Sequence, residues 1–222
     1  MQQLSGLDAM FVHLEQHGMP MHISSFTAYD PSTAPGGKLD FSNIERTFNG
    51  KFLDEPLLRS KLLQVSFNLD QPYWIEDENF ELNYHLRHIA LPEPRDSGAL
   101  CRLLADLHAQ PLDRTRPLWE AYIIEGVDKA CALPEGAFGL FLKVHHSIMD
   151  GQTGLTLFTN LHTLDPKQKP ASAERRQLTA EVPSQWQLLR NAYRNNTRRY
   201  GQFLRMMGRA LPVYRKMQQG IE

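Results

Sequence analysis

The chain has 222 residues, 41% hydrophobic and 22% charged, which excludes a disordered or collagen-like polymer and gives enough length to bury a core without disulfides or a metal. Its formal net charge of −1 hides an asymmetry: residues 184–222 hold eight basic residues and one acid, a net of +7, against −8 for residues 1–183, the pattern of a body with a basic arm. Cys101 and Cys131 form neither a Cys-x-x-Cys pair nor a zinc-ligand spacing, no signal-peptide pattern opens the chain, and the uncharged stretch Gly151–Leu164 is only 14 residues long and polar in places; a reduced, cytoplasmic protein without a spanning helix is expected.

In chain order, Ser5 can cap a short helix from Gly6 to about Glu15. Met21–Tyr29 is a plausible strand, closed by Asp30-Pro31 and a turn-rich loop. Ile44, Phe48 and Phe52 recur at helical spacing until Glu55-Pro56. Lys61–Phe67 can extend into a strand, and Trp74–Arg87 alternates weakly. Ala99–Ala109 sets Leu100, Leu103, Leu104 and Leu107 on one helical face. Leu118–Val127 and Gly136–His145 read as strands, and Gly154–Leu164 as a helix. Residues 166–183 form a polar, proline-bounded linker. Strands interleaved with helices point to a layered α/β or α+β fold.

In the arm, Trp186, Leu189, Tyr193, Tyr200, Phe203 or Leu204, Met207, Leu211 and Tyr214 form a near-heptad stripe beside arginines, which Pro212 should kink or break. Two readings stay open: a helix packed on the body or on another domain, or a helix lying on an anionic membrane surface. Nucleic acid is not an expected partner, because no base-reading motif accompanies the charge.

The residues that could do chemistry are His145-His146-Ser147-Ile148-Met149-Asp150-Gly151. Successive residues at a strand end face opposite ways, so one histidine can be fixed in the core while the other faces a cavity. An imidazole suits the removal of a proton from a hydroxyl. Asp150 can return through the turn to orient an imidazole or pair with an arginine, and Gly151 permits a close backbone approach. A His-His pair is also often purely structural. Metal binding is not expected, since neighbours on opposite faces cannot meet one ion, and no Gly-x-Ser-x-Gly elbow surrounds Ser147. Leu140, Leu142, Ile148, Leu155 and Phe158, with Pro117, Leu118 and Trp119, could line a substrate channel or simply fill the core. Both cysteines are expected to be inert or buried.

His145-His146-x-x-x-Asp150-Gly151 resembles the signature of the CoA-dependent acyltransferase superfamily. Three further stretches resemble the bacterial wax ester synthase/acyl-CoA:diacylglycerol acyltransferases: Leu4-Ser5-Gly6-Leu7-Asp8-Ala9-Met10-Phe11, Phe80–Arg87, and Pro111-Leu112-Asp113 followed by Arg116-Pro117-Leu118-Trp119-Glu120. The resemblance implies an α/β, chloramphenicol-acetyltransferase-like sandwich domain, a mixed sheet with flanking helices, over residues 1–165. The linker would span 166–183 and the basic helical arm 184–222, leading to a second domain. It implies fatty acyl transfer from acyl-CoA, a co-substrate rather than a bound cofactor, to a long-chain alcohol or to diacylglycerol. His146 would be the general base, His145 and Asp150 its structural supports, and Gly151 the opening of the channel. Family members are roughly twice as long, so a C-terminal half is an expected partner, and a membrane or lipid-inclusion surface the expected site of work. The alternatives are a small-molecule acetyltransferase of the chloramphenicol type, whose motif lies nearer the C-terminus, and a lipid-surface protein without turnover.

Overall fold

The structure, a computed structural model, describes residues 1–15, 19–37, 40–50, 52–149, 161–162 and 182–219. A four-stranded sheet is ordered β2 (His22–Tyr29), β7 (Phe138–His145), β6 (Trp119–Glu125), β5 (Leu86–Ala90). β5 and β6 run parallel and the other neighbours antiparallel, so the sheet is mixed. A second, antiparallel sheet is ordered β1 (Gln2–Gln3), β4 (Tyr73–Glu76), β3 (Ser60–Leu63).

β6 and β7 read as near-continuous apolar runs because both faces of the sheet are covered. On one face Trp119, Ala121 and Ile123 meet Leu140, Leu142 and Val144, with Phe48 of α2 (Phe41–Gly50) and Ala9 and Val12 of α1 (Gly6–Leu14) in the same core. On the other, Tyr122, Ile124 and Phe141 pack with Leu100 and Leu107 of α4 (Ser97–Ala109). The one-turn helices α3 (Leu82–His85) and α5 (Asp128–Cys131) lead into β5 and out of β6. Each longer flanking helix starts where the sequence supplies an acceptor. Ser5 Oγ takes the Asp8 N–H, and the Asp96 carboxylate takes the Ala99 N–H at 2.7 Å. Gly139 is needed in β7 because a Cβ there would stand 2.3 Å from the ring of Phe26 on β2.

The basic arm is a single helix, α6 (Gln185–Gln219), and its first half is docked on the body. Leu188 and Ala192 are buried against Val65 and Tyr73. One and two turns on, Asn195 Nδ2 and Arg199 Nη1 both reach the buried carboxylate of Asp70, each at 2.7 Å. Beyond Arg199 the apolar side chains Tyr200, Phe203, Leu204, Met206, Met207 and Leu211 are all exposed.

Several expectations change in detail. The helix carrying Ile44 and Phe48 stops at Gly50, and Phe52 opens a separate 3-10 turn. The strand expected to reach Phe67 ends at Leu63, because Phe67 takes a left-handed φ of 57° in a 3-10 turn and is exposed. Residues 74–87 divide into β4, α3 and the start of β5, since the polar run Asp77–Asn79 turns the chain. Pro212 does not end the arm: the helix continues to Gln219, forgoing one backbone hydrogen bond. Cys101 is exposed rather than buried, while burial pushes the half-buried Cys131 thiol up. The helix expected over Gly154–Leu164 lies outside the described residues apart from Leu161 and His162.

Buried polar groups fasten the layers. Lys143 on β7 is fully buried; its Nζ donates to the carbonyls of Leu107 (3.0 Å) and Gln110 (2.9 Å) at the C-terminal end of α4 and meets Glu120 Oε2 at 3.0 Å. Glu120 also accepts from the Tyr122 hydroxyl. His22 Nε2–H donates to the His108 carbonyl at 2.7 Å and His85 Nδ1–H to the Trp119 carbonyl at 2.8 Å. Burial holds both imidazoles below the ordinary range, and it pushes His145 down from 6.5 to about 4.

Two outcomes are expected. Lys143→Met leaves the buried Glu120 carboxylate with only the half-exposed Arg87 guanidinium, 3.6 Å away, and should cost about 3–5 kcal/mol, read from urea unfolding. On acidification the unfolded chain takes up protons that the folded histidines refuse. Stability is therefore full above pH 6.5 and falls as pH drops towards 4, where the contribution of His145 levels off. Unfolding midpoints between pH 7.5 and 4 measure this, and His145→Asn should flatten the slope.

Candidate active site

β7 delivers the histidine pair at its end. Two successive backbone groups are taken by opposite neighbours: the His145 N–H donates to the Leu118 carbonyl beside β6 (3.0 Å), and the His146 N–H to the Met21 carbonyl beside β2 (2.9 Å). The chain then turns at once, with the Ile148 N–H donating to the His145 carbonyl and the Met149 N–H to that of His146. Strand pairing on both flanks and a tight turn leave the pair little freedom of position.

His145 faces inward, 1% exposed, directly across from His22 in the β2–β7 register. Its Nδ1 accepts the Ser147 N–H at 3.0 Å and lies 2.7 Å from the Ser147 hydroxyl. In the neutral ring the proton is then on Nε2. Nε2 points at Glu15 Oε1, 3.7 Å away, too far for a hydrogen bond. That carboxylate does not offset desolvation, and Arg114 adds to the depression of the pKa. His145 is thus neutral near pH 7 and serves as a fixed post.

His146 is only half-buried. Its ring stacks on Phe11 of α1, centroids 4.8 Å apart and planes 18° from parallel. Among the described residues no hydrogen bond engages either ring nitrogen. One histidine is locked; the other is positioned by an aromatic face and, among the described residues, has both nitrogens open, which is the arrangement a general base needs.

The other expected residues divide. Pro117, Leu118, Trp119, Leu142 and Ile148 are all buried, and the last four belong to the core cluster. Trp119 is fully buried, donates its indole N–H to the Leu58 carbonyl at 2.7 Å and stacks on His85; its observed work is packing. Asp150, Gly151, Leu155 and Phe158 lie outside the described residues. Phe11 and Glu15 were not singled out for the site by the sequence; their helical spacing of four was the available signal, since it sets both on the side of α1 that β7 reaches.

An apolar cleft of about 150 Å3 lies between α2 and the sheet, lined by Ile44, Phe48, Ile123, Phe138 and Leu140 among others. A larger cavity of about 630 Å3, lined by Arg95, Glu125, Asp128 and Glu135, opens at the start of β7, about 23 Å of strand from the histidines. Among the described residues no cluster of three or more His, Cys, Asp or Glu is placed to hold a metal ion, and no helix is long and apolar enough to cross a membrane.

Comparison with known proteins fits this geometry. A putative diacylglycerol O-acyltransferase of Mycobacterium tuberculosis is 37% identical over 75% of this chain and 32% of its own length. The solved wax ester synthase/diacylglycerol acyltransferase from Marinobacter aquaeolei VT8 is 32% identical, with a TM-score of 0.53 over 69% of this chain and 36% of that one. The first condensation domain of the calcium-dependent antibiotic synthetase shares the fold, with a TM-score of 0.55 at 19% identity over 72% of this chain and 37% of that one. The chain therefore spans about a third of these proteins' lengths. Residues 4–219 match the wax ester synthase/diacylglycerol acyltransferase catalytic domain, and the chain belongs to that family.

Proposed function

We propose that this chain carries the general base of an O-acyltransferase that moves a fatty acyl group from acyl-CoA to a long-chain alcohol, giving a wax ester, or to diacylglycerol, giving triacylglycerol. The supporting observation is the half-buried His146 imidazole, stacked on Phe11 and with both nitrogens open among the described residues, in a chain of this family. A ring nitrogen of His146 takes the acceptor's hydroxyl proton as the oxygen attacks the thioester carbonyl. The C–S bond breaks, and the proton passes to the departing CoA thiolate. His145 holds the strand end, Asp150 supports the turn and Gly151 leaves the approach open. Residues 1–165 form the acyltransferase domain, 166–183 the linker and 184–222 the arm. The rest of the cleft comes from a C-terminal half, continuous with this chain or separate.

The work takes place at a membrane or lipid-inclusion surface, because the substrates dissolve poorly in water. The arm favours this reading. At 100° per residue, Trp186, Tyr193, Tyr200, Leu204, Met207 and Leu211 fall on one exposed stripe, about a third of a turn from the docked face. Arg190, Arg194, Arg198, Arg205 and Arg209 are exposed on the remaining side, with no acid among them. Aromatic rings suit the headgroup boundary and arginines suit anionic lipid.

His146→Ala is expected to lower ester formation by about 10²–10⁴-fold with the fold intact by circular dichroism. The assay offers palmitoyl-CoA with hexadecanol or diacylglycerol to this chain, together with any polypeptide that copurifies with it. Full activity in a folded variant refutes the general-base role. In liposome flotation, the triple change Arg194→Gln, Arg198→Gln, Arg205→Gln should weaken binding to anionic vesicles about 100-fold, at roughly 1 kcal/mol per charge. Unchanged binding removes the arm from the surface contact.

A further inference from the structure

We infer that α1 is a positioning device for the reaction. Phe11 fixes the plane of the His146 ring, and Glu15, one turn later, fixes Phe11. This rests on the reading of His146 as the base, but its own evidence is geometric. A helix of nine residues is not stable by itself, and α1 fully buries only Ala9 and Val12. Leu7, Met10 and Leu14 remain exposed. Burial alone does not account for the position of this helix.

Polar contacts do. At its start, Ser5 caps the first turn and the Leu4 N–H donates to the Pro72 carbonyl at 2.9 Å. In its last turn, His13 Nε2 meets Gln71 Oε1 at 3.3 Å. At its end, Arg114 Nη2 donates to the Val12 carbonyl at 3.2 Å, while Arg114 Nε stands 3.8 Å from Glu15 Oε2. Glu15 Oε1 accepts the Met21 N–H at 3.3 Å and faces His145 Nε2. The Met21 carbonyl in turn receives the His146 N–H. The route Glu15, Met21, His146 ties the helix end to the backbone of the residue whose ring Phe11 covers. Backbone and ring of His146 are thus both referred to α1.

A near-parallel stack limits rotation about the imidazole's side-chain bonds without using a ring nitrogen. A hydrogen bond from a neighbouring side chain would fix the ring equally well but would occupy the atom that must take the proton. Phe11 and Glu15 are positioning residues; neither needs to touch substrate.

The test is NMR of the 222-residue chain with labelled histidine, which needs no turnover. The ring protons of His146 are expected to lie upfield, under the Phe11 ring current, and to show Overhauser contacts with the Phe11 ring. Phe11→Leu should abolish the upfield shift with the remaining amide spectrum unchanged, and Phe11→Tyr should restore it. Glu15→Ala keeps the Phe11 side chain yet should reduce the shift by freeing it, whereas Glu15→Gln should retain most of it. In the acyl-transfer assay Phe11→Leu should lower kcat about 10–100-fold and leave KM unchanged. Unshifted His146 protons without Overhauser contacts in the unaltered chain overturn the inference. So does a shift that survives both Phe11→Leu and Glu15→Ala. A stacked His146 whose alanine variant remains fully active would instead refute the general-base reading.

Discussion

Everything at the site depends on β7 being paired on both sides up to its last residue. Had β2 stopped short, His146 would lose the Met21 carbonyl and swing with the loop. Had β6 stopped short, His145 would lose the Leu118 carbonyl. Central strands are costly to assemble because their partners come from distant parts of the chain. Here β2 precedes β7 by more than a hundred residues, and that long-range register carries two adjacent side chains to opposite duties.

The division of labour between the histidines follows from solvent. His145, sealed in, cannot afford a charge, and its ring is committed through Nδ1 to Ser147. His146, one residue on, is half-buried and keeps contact with water. The same residue type is sealed in or left open to solvent by environment alone, the general way in which proteins make identical groups differ. Lys143, two residues earlier on the inward face, makes a comparable commitment to the end of α4.

Much of this was legible in the sequence. Ser5, Asp30-Pro31, the leucine face of α4 and the apolar runs of β6 and β7 gave their elements within a residue or two, because each is a local signal of capping, turning or periodicity. The motif at residues 145–151 begins at the strand end where the structure places one sealed and one half-buried histidine. What failed was also local in cause: the left-handed Phe67 and the break at Asp77–Asn79 are backbone decisions that apolar spacing does not encode. Trp119 could shape a substrate entrance or just pack under the sheet. Its burial, its bond to Leu58 and its stack on His85 depend on residues 61 and 34 positions away, which no window along the chain could join. The role of Glu15 is of the same kind, since Met21, Arg114 and His145 meet only in the folded chain.

The root of α6 has a mechanical meaning. Asn195 and Arg199 grip Asp70, and both also reach the side-chain oxygen of Gln3, at 3.3 and 3.4 Å. Gln3 lies two residues before the Ser5 cap of α1. The arm is thus anchored at its root, and that anchor adjoins the first turn of the helix whose Phe11 covers the His146 ring. A change at Gln3 therefore acts on the root of the arm and on the threshold of α1 together, through a strand only two residues long.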